Sequence, residues 1–209
     1  MGKYDTVYDR VLTIEGESIL SLRQSLNRDI LDQIVELLLT VKARGCKVIT
    51  AGCGTSGIAA RKIAHTLSVV EVPSFYLSPA NSIHGGTGAI QKNDIVVLLT
   101  KSGNTPEIIN YLPICKKKGA FVIGVTAKPD SVLAQNSDIV MLVQVEREPC
   151  PWNLISTGSI LATLSAWDAI AFAVMENSGY TKEDLFLTHP GGGVGQALSE
   201  LDKLRSDQK

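Results

Sequence analysis

The chain has 209 residues, 44% of them hydrophobic and 5% aromatic, with a formal net charge of −1. That length builds one core of ordinary domain size. The near-neutral charge and scarce aromatics exclude a surface made for nucleic acid or for stacking on bases. In chain order, residues 3–44 are predicted to form two helices: Ile30, Ile34, Leu37, Leu38 and Val41 fall at helical spacing, and Gly45 is a natural stop. Lys47 to Ala51 reads as a short strand that runs into Gly52-Cys53-Gly54-Thr55-Ser56-Gly57, and a helix follows to about Val69. Further strands are predicted at Ser74–Leu77, Ile95–Leu99, Ala120–Val125 and Ile139–Val143, with a helix from Pro106 to Lys118. Ile160, Leu164, Trp167, Ala171 and Val174 mark a long, largely buried helix.

Strands that alternate with helices indicate parallel crossover units, and near-continuous apolar strands indicate a sheet covered on both faces. The expected fold is therefore α/β, a doubly wound five-stranded parallel sheet flanked by helices on both faces, in a single domain. Residues 1–44 are expected to pack on the core, 45–198 to form the ligand-binding domain and 199–209 to be a charged tail. In such sheets ligands bind outside the carboxyl ends of the strands, near the topological switch point. Both hydroxyl- and glycine-bearing turns, 52–57 and 100–105, fall at strand carboxyl ends and are expected to face one crevice.

Thr100-Lys101-Ser102-Gly103-Asn104-Thr105 is the most informative stretch. It joins the carboxyl end of a strand to the amino end of a helix, where backbone N–H groups and the positive end of a helix dipole are available. Hydroxyls and a lysine there form a receptor for phosphate. The Walker order of Gly-Lys-Ser/Thr after a longer glycine loop is lacking, so a phosphorylated metabolite is expected rather than ATP. Gly52-x-Gly54-x-Ser56-Gly57 is superficially similar to a dinucleotide turn. Gly57 arrives too early for that fingerprint, and no acid sits in the second strand to hold a ribose. A tight strand-to-helix turn explains it as well.

Of the three histidines, His65 lies in a helical pattern and reads as a packing or surface residue. His84, in a loop ahead of the third strand, and His189, before Pro190 and three glycines, read either as loop residues or as ligand contacts. Glu148 sits in a proline loop; it is either a solvated acid or a carboxylate whose pKa desolvation raises, which would make it a better base near neutral pH. Glu107 is explained by a helix amino terminus, which favours an acid, and Asp168 reads as structural. There is no HExxH, no paired Cys/His set and no GxSxG, so neither a metal nor a serine nucleophile is expected. The four cysteines form no CxxC pair, and the polar start lacks a signal-peptide core, so reduced thiols and a cytoplasmic location are expected. No membrane span is expected, because no apolar run approaches about 20 residues.

Taken together, the chain resembles the sugar isomerase (SIS) domain, and within it the arabinose-5-phosphate isomerase family. The residues that carry the resemblance are Gly52-x-Gly54-x-Ser56-Gly57, Arg61-Lys62, Pro73-Ser74-Phe75, His84-Gly85, Ser102-Gly103-x-x-x-Glu107, Glu148-x-Cys150-Pro151, Ala162-Thr163-Leu164 with Asp168-Ala169, and His189-Pro190-Gly191-Gly192. They run in the family's order from about residue 45. The resemblance implies a flavodoxin-like sheet and an aldose–ketose isomerase that needs no cofactor. It also implies a homo-oligomer, dimeric or tetrameric, with shared active sites. Glu107, Glu148 and His189 match the catalytic positions, and His84 belongs to the pocket. Two departures stand out: Thr55 replaces the lysine usual in the first glycine turn, and Gly86 replaces an acid usual two residues after the pocket histidine. The family often carries regulatory CBS modules after this domain, and none is expected here.

In the mechanism that follows, a proton moves between C1 and C2 through an enediolate. Glu148 is the expected carbon base, with His189 handling ring opening and oxygen protons and Glu107 orienting the site. Ser56, Thr55, Thr100, Ser102 and Thr105 would hold the phosphate, with Lys101 in support. The alternatives are a non-catalytic phosphosugar sensor, an isomerase for another sugar phosphate, or an oligomeric scaffold.

Overall fold

The computed structural model describes residues 2–193 and 195–196. Three helices come first: α1 (Asp5–Leu20), α2 (Leu22–Ser25) and α3 (Arg28–Leu39). The two long ones are those expected from periodicity; α2 is a single extra turn. Leu26 is extended, and Asn27 starts α3 by accepting from the Ile30 N–H at 3.3 Å, the usual side-chain cap of a helix start.

The remainder alternates: β1 (Val48–Gly52), α4 (Gly54–Val69), β2 (Ser74–Tyr76), α5 (Pro79–Ser82), a 3-10 turn at Gly86–Ala89, β3 (Ile95–Leu99), α6 (Pro106–Ile109), α7 (Leu112–Lys118), β4 (Phe121–Thr126), α8 (Val132–Asn136), β5 (Ile139–Leu142), α9 (Gly158–Asn177) and α10 (Lys182–Thr188). The five strands form one parallel sheet in the order β2-β1-β3-β4-β5. The chain leaves β1 towards β2 on one side and returns past β1 to β3 on the other. The switch point therefore lies between β1 and β3, and the loops that follow these two strands open side by side.

Side-chain alternation explains the apolar strands. Ile95, Val97 and Leu99 of β3 pack into a cluster with Ile34 and Leu38 of α3, Ile63 and Leu67 of α4, and Trp167 and Ile170 of α9. Val96 and Leu98 face the opposite way, with Ile108, Tyr111, Leu112 and Cys115 of the α6–α7 segment and Leu133 of α8. With both faces covered, every β3 residue is buried and no polar side chain is tolerated there.

One expectation is corrected: the helix predicted from Pro106 to Lys118 is broken into α6 and α7. Pro113 carries no N–H to donate to the Ile109 carbonyl, and its ring clashes with the turn before it. The long buried helix expected around residues 160–174 is α9, a 20-residue helix long and apolar enough, by length and composition alone, to cross a membrane. In the fold it packs against α1, α3 and α4, with Ala162, Ala166, Trp167, Ile170, Ala171 and Val174 buried.

Candidate active site

The loop after β1 is shaped by close backbone approach. A Cβ on Gly52 would stand 2.6 Å from the Ser56 carbonyl oxygen, and one on Gly57 would stand 2.7 Å from that of Gly52. Gly54 holds φ +54°. These glycines thus let α4 start directly against the strand end. The Tyr76 hydroxyl donates to the Gly52 carbonyl at 3.0 Å, and the Arg61 guanidinium lies 4.1 Å from the Tyr76 ring centroid. No side chain caps the amino end of α4, which has 16 residues and presents Thr55 and Ser56 there.

The loop after β3 is equally constrained. Thr100 Oγ1 lies 2.6 Å from Thr105 Oγ1 and 3.3 Å from Ser102 Oγ, and Ser102 Oγ accepts from the Asn104 N–H at 3.3 Å. Gly103 has φ +68°, and a Cβ there would fall 2.0 Å from Ser131 Oγ, so only glycine fits. The Ser102 and Thr105 hydroxyls are thereby both gathered within hydrogen-bond reach of that of Thr100. Because α6 is a single turn, its dipole is weaker than that of the longer helix read from the sequence; the 16-residue α4 across the crevice supplies the stronger positive end. A cleft of about 610 Å³ lies above both loops. Thr55, Ser56, Thr100, Lys101, Ser102 and Thr105 all line it, together with Lys128 and Arg147.

Glu148 is placed beneath this cleft. Its side chain is 0% exposed. Lys101 Nζ donates to Oε1 at 2.5 Å, and the Ser159 hydroxyl donates to the same oxygen. The backbone N–H groups of Thr157 and Ser159 donate to Oε2 at 3.1 and 3.2 Å. The loop is held from behind by Asn153, whose Oδ1 accepts from the Glu148 N–H at 2.6 Å. The carboxylate therefore neutralises the amino end of the 20-residue α9 and pairs with a cation. Desolvation pushes its pKa up, but the Lys101 ammonium and the Ser159 donors outweigh it and hold the carboxyl below its ordinary value. This reverses the raised pKa expected from the sequence.

The other expected residues are spread out. Glu107 is exposed at the first turn of α6; after burial, its charge is the second cause that pushes the Cys53 thiol up, which sets it beside the β1 loop. His84 is exposed in the loop after β2 and does not line the cleft. His189 ends α10, with Nδ1 3.3 Å from Thr188 Oγ1. That hydroxyl is 3.4 Å from the Tyr180 OH, which donates to the Val69 carbonyl at 2.9 Å. His189 therefore lies at the far end of α4, and a 16-residue helix is about 24 Å long. His65 is exposed on α4, and Asp168 pairs with Lys62. Sequence reasoning missed Thr157, Ser159, Asn153 and Arg147. The order Thr157-x-Ser159 ahead of an apolar helix was the available signal for the first two, since hydroxyl residues mark helix starts.

A hydroxyl-lined cleft at the switch point of a doubly wound parallel sheet, beside a buried acid paired with a partly exposed lysine, defines the class of α/β protein to which the chain belongs. Residues 38–173 match the SIS domain, and the chain belongs to that family. The arabinose 5-phosphate isomerase KdsD of Pseudomonas aeruginosa is 39% identical over 189 residues, which cover 90% of this chain and 57% of that protein. The KdsD of Escherichia coli K12 is 36% identical over 190 residues, 90% of this chain and 56% of that protein. The chain thus spans somewhat over half the length of these relatives. Among solved structures, a proposed sugar-phosphate isomerase from Listeria monocytogenes superposes with a TM-score of 0.88 at 38% identity, covering 91% of this chain and all of that one. An Escherichia coli CFT073 protein in complex with arabinose 5-phosphate superposes with a TM-score of 0.84 at 30% identity, over 91% of this chain and 100% of that one.

Proposed function

We propose that the chain is an aldose–ketose isomerase for a sugar phosphate, interconverting arabinose 5-phosphate and ribulose 5-phosphate or a close analogue. The observation that carries this reading is the cradle of Thr100, Ser102 and Thr105 opening beside the Glu148–Lys101 pair. The relatives named for arabinose 5-phosphate isomerase, and the neighbour solved with that sugar phosphate, support the choice of sugar.

Phosphate bound by the three hydroxyls and the Ser56 end of α4 would fix the sugar so that C1 and C2 reach over Glu148. Glu148 carries the proton between these carbons. Held ionised by its donors, it is ready to accept a proton at neutral pH. Lys101, which lines the cleft between Thr100 and Ser102, supports the phosphate. Glu107, set beside the β1 loop, orients the sugar from the rim.

His189 enters this scheme from a second copy of the chain, since within one chain it lies at the opposite end of α4. Exposed Tyr8 and Leu12 on α1, Phe172 on α9, and Trp152, Leu154 and Ile155 in the loop before α9 offer the apolar surface for such assembly. The cysteines are all free, which suits a reducing compartment such as the cytoplasm.

Ser102→Ala tests the cradle. Loss of a hydrogen bond to a charged phosphate is worth roughly 1.5–3 kcal/mol, so the Kd for a phosphorylated pentose should rise on the order of 10- to 100-fold. Calorimetric titration checks this, and an unchanged Kd would place the phosphate elsewhere.

A further inference from the structure

Glu148 presents a difficulty that its neighbours resolve. A carboxylate with no exposed side-chain surface cannot touch a substrate carbon, and three of its four donors are fixed at the start of α9. The fourth, Lys101, is different. It is the only one of these donor residues that lines the main cleft, and its side chain is 42% exposed. Its backbone is pinned: the Lys101 carbonyl accepts from the Thr126 hydroxyl at 3.2 Å and from the Ala127 N–H at 3.1 Å. Only the side chain is free to swing. Lys101 also stands between Thr100 and Ser102 in sequence, so the arm that covers Glu148 is rooted in the cradle itself.

The remaining groups around the carboxylate are neutral or turned elsewhere. From the start of α9 it meets Thr157 and Ser159, and from α1 Ser18 lies close by, against Gly158. Glu146 and Arg147 of its own loop, and Lys128 after β4, line the cleft, while Glu17 of α1 lines a separate hollow with Arg147. Among the described residues, Lys101 is the one charge in direct contact with Glu148. A dianion seated on the neighbouring hydroxyls would offer that ammonium twice the charge of the carboxylate, and from a more solvated position.

Building on the reading of Glu148 as the base, we propose that Lys101 is a positioning residue that couples anion binding to the base. Its ammonium leaves Glu148 Oε1 for a phosphate bound on its own turn, and so uncovers the carboxylate only when a phosphorylated ligand is present. The same residue supplies, from the second turn, the cation that Thr55 does not supply from the first. Phosphate then contributes to turnover as well as to binding, because it switches on the group that moves the proton.

The consequence is a proton linkage. Glu148 is held below the ordinary carboxyl range while Lys101 contacts it, because the ammonium and Ser159 together outweigh burial. When the ammonium leaves, the carboxyl pKa rises, so anion binding takes up protons in the pH window between the two values. Inorganic sulfate is a suitable probe, since it stays a dianion throughout that window. Calorimetric titration of the full chain with sulfate across a series of acidic to neutral pH values, in buffers of different ionisation heat, should report net proton uptake on sulfate binding, lost once the pH lies above the raised carboxyl value. Lys101→Met should bind sulfate several-fold more weakly and lose most of the uptake; Glu148→Gln should bind it with none. Uptake in the wild type that persists in Lys101→Met, or sulfate binding with no proton exchange, would overturn the coupling and leave the phosphate cradle standing. Sulfate affinity unaffected by Ser102→Ala would overturn the cradle, and the coupling with it.

Discussion

Glu148→Gln should lower kcat for the phosphorylated pentose by on the order of 10²- to 10⁴-fold, the range that a positioned acid–base group contributes. Its affinity for the sugar phosphate should change by no more than a few-fold, since the cradle hydroxyls belong to other residues. The glutamine keeps a carbonyl oxygen that can accept from the Thr157 and Ser159 N–H groups, so the start of α9 stays capped. Lys101 loses its partner but is partly exposed and can be solvated. Steady-state kinetics beside a direct binding titration separate the two effects. Wild-type turnover in this variant would remove Glu148 as the base.

His189→Asn should lower kcat on the order of 10²-fold, again with the range of general acid–base catalysis as the guide. The more informative result comes from co-expressing it with Glu148→Gln. If each site draws Glu148 from one chain and His189 from another, a mixed dimer holds one intact site and one doubly altered site. Random mixing should then restore roughly a quarter of wild-type activity from two nearly inactive variants. If each chain supplied both residues to its own site, mixing would restore nothing. The separation of His189 from Thr55 and Ser56 along the length of α4 favours the first outcome.

Much of the fold was legible because its signals are local. Ile95–Leu99 was read with the bounds it has, since a strand buried on both faces leaves an unbroken apolar run between polar turns. The two turns of the crevice were legible for a similar reason: Gly52, Gly57 and Gly103 mark places where a Cβ would collide with backbone or a neighbouring side chain. The break at Pro113 was also written in the sequence, but helical periodicity on both sides of it masked the break.

The electrostatics of Glu148 were not legible. Its partners are 47 residues before it and 11 residues after it, and only the fold brings Lys101 and Ser159 to the same oxygen. A proline loop with apolar neighbours suggested desolvation alone, and desolvation alone gives the wrong sign. His189 shows the complementary limit. Its motif follows the order of the family, yet order along a chain carries no information about which end of α4 a residue occupies.

The most direct test follows D-arabinose 5-phosphate in D₂O by proton NMR in the presence of the full chain. Enediolate chemistry predicts that ribulose 5-phosphate appears and that deuterium enters C2 of the remaining aldose, because the proton carried by the base exchanges with solvent. A sugar phosphate that binds at the Ser102 turn yet shows neither conversion nor exchange, for this pentose and for other pentose and hexose phosphates alike, would contradict the isomerase and leave a phosphosugar sensor in its place.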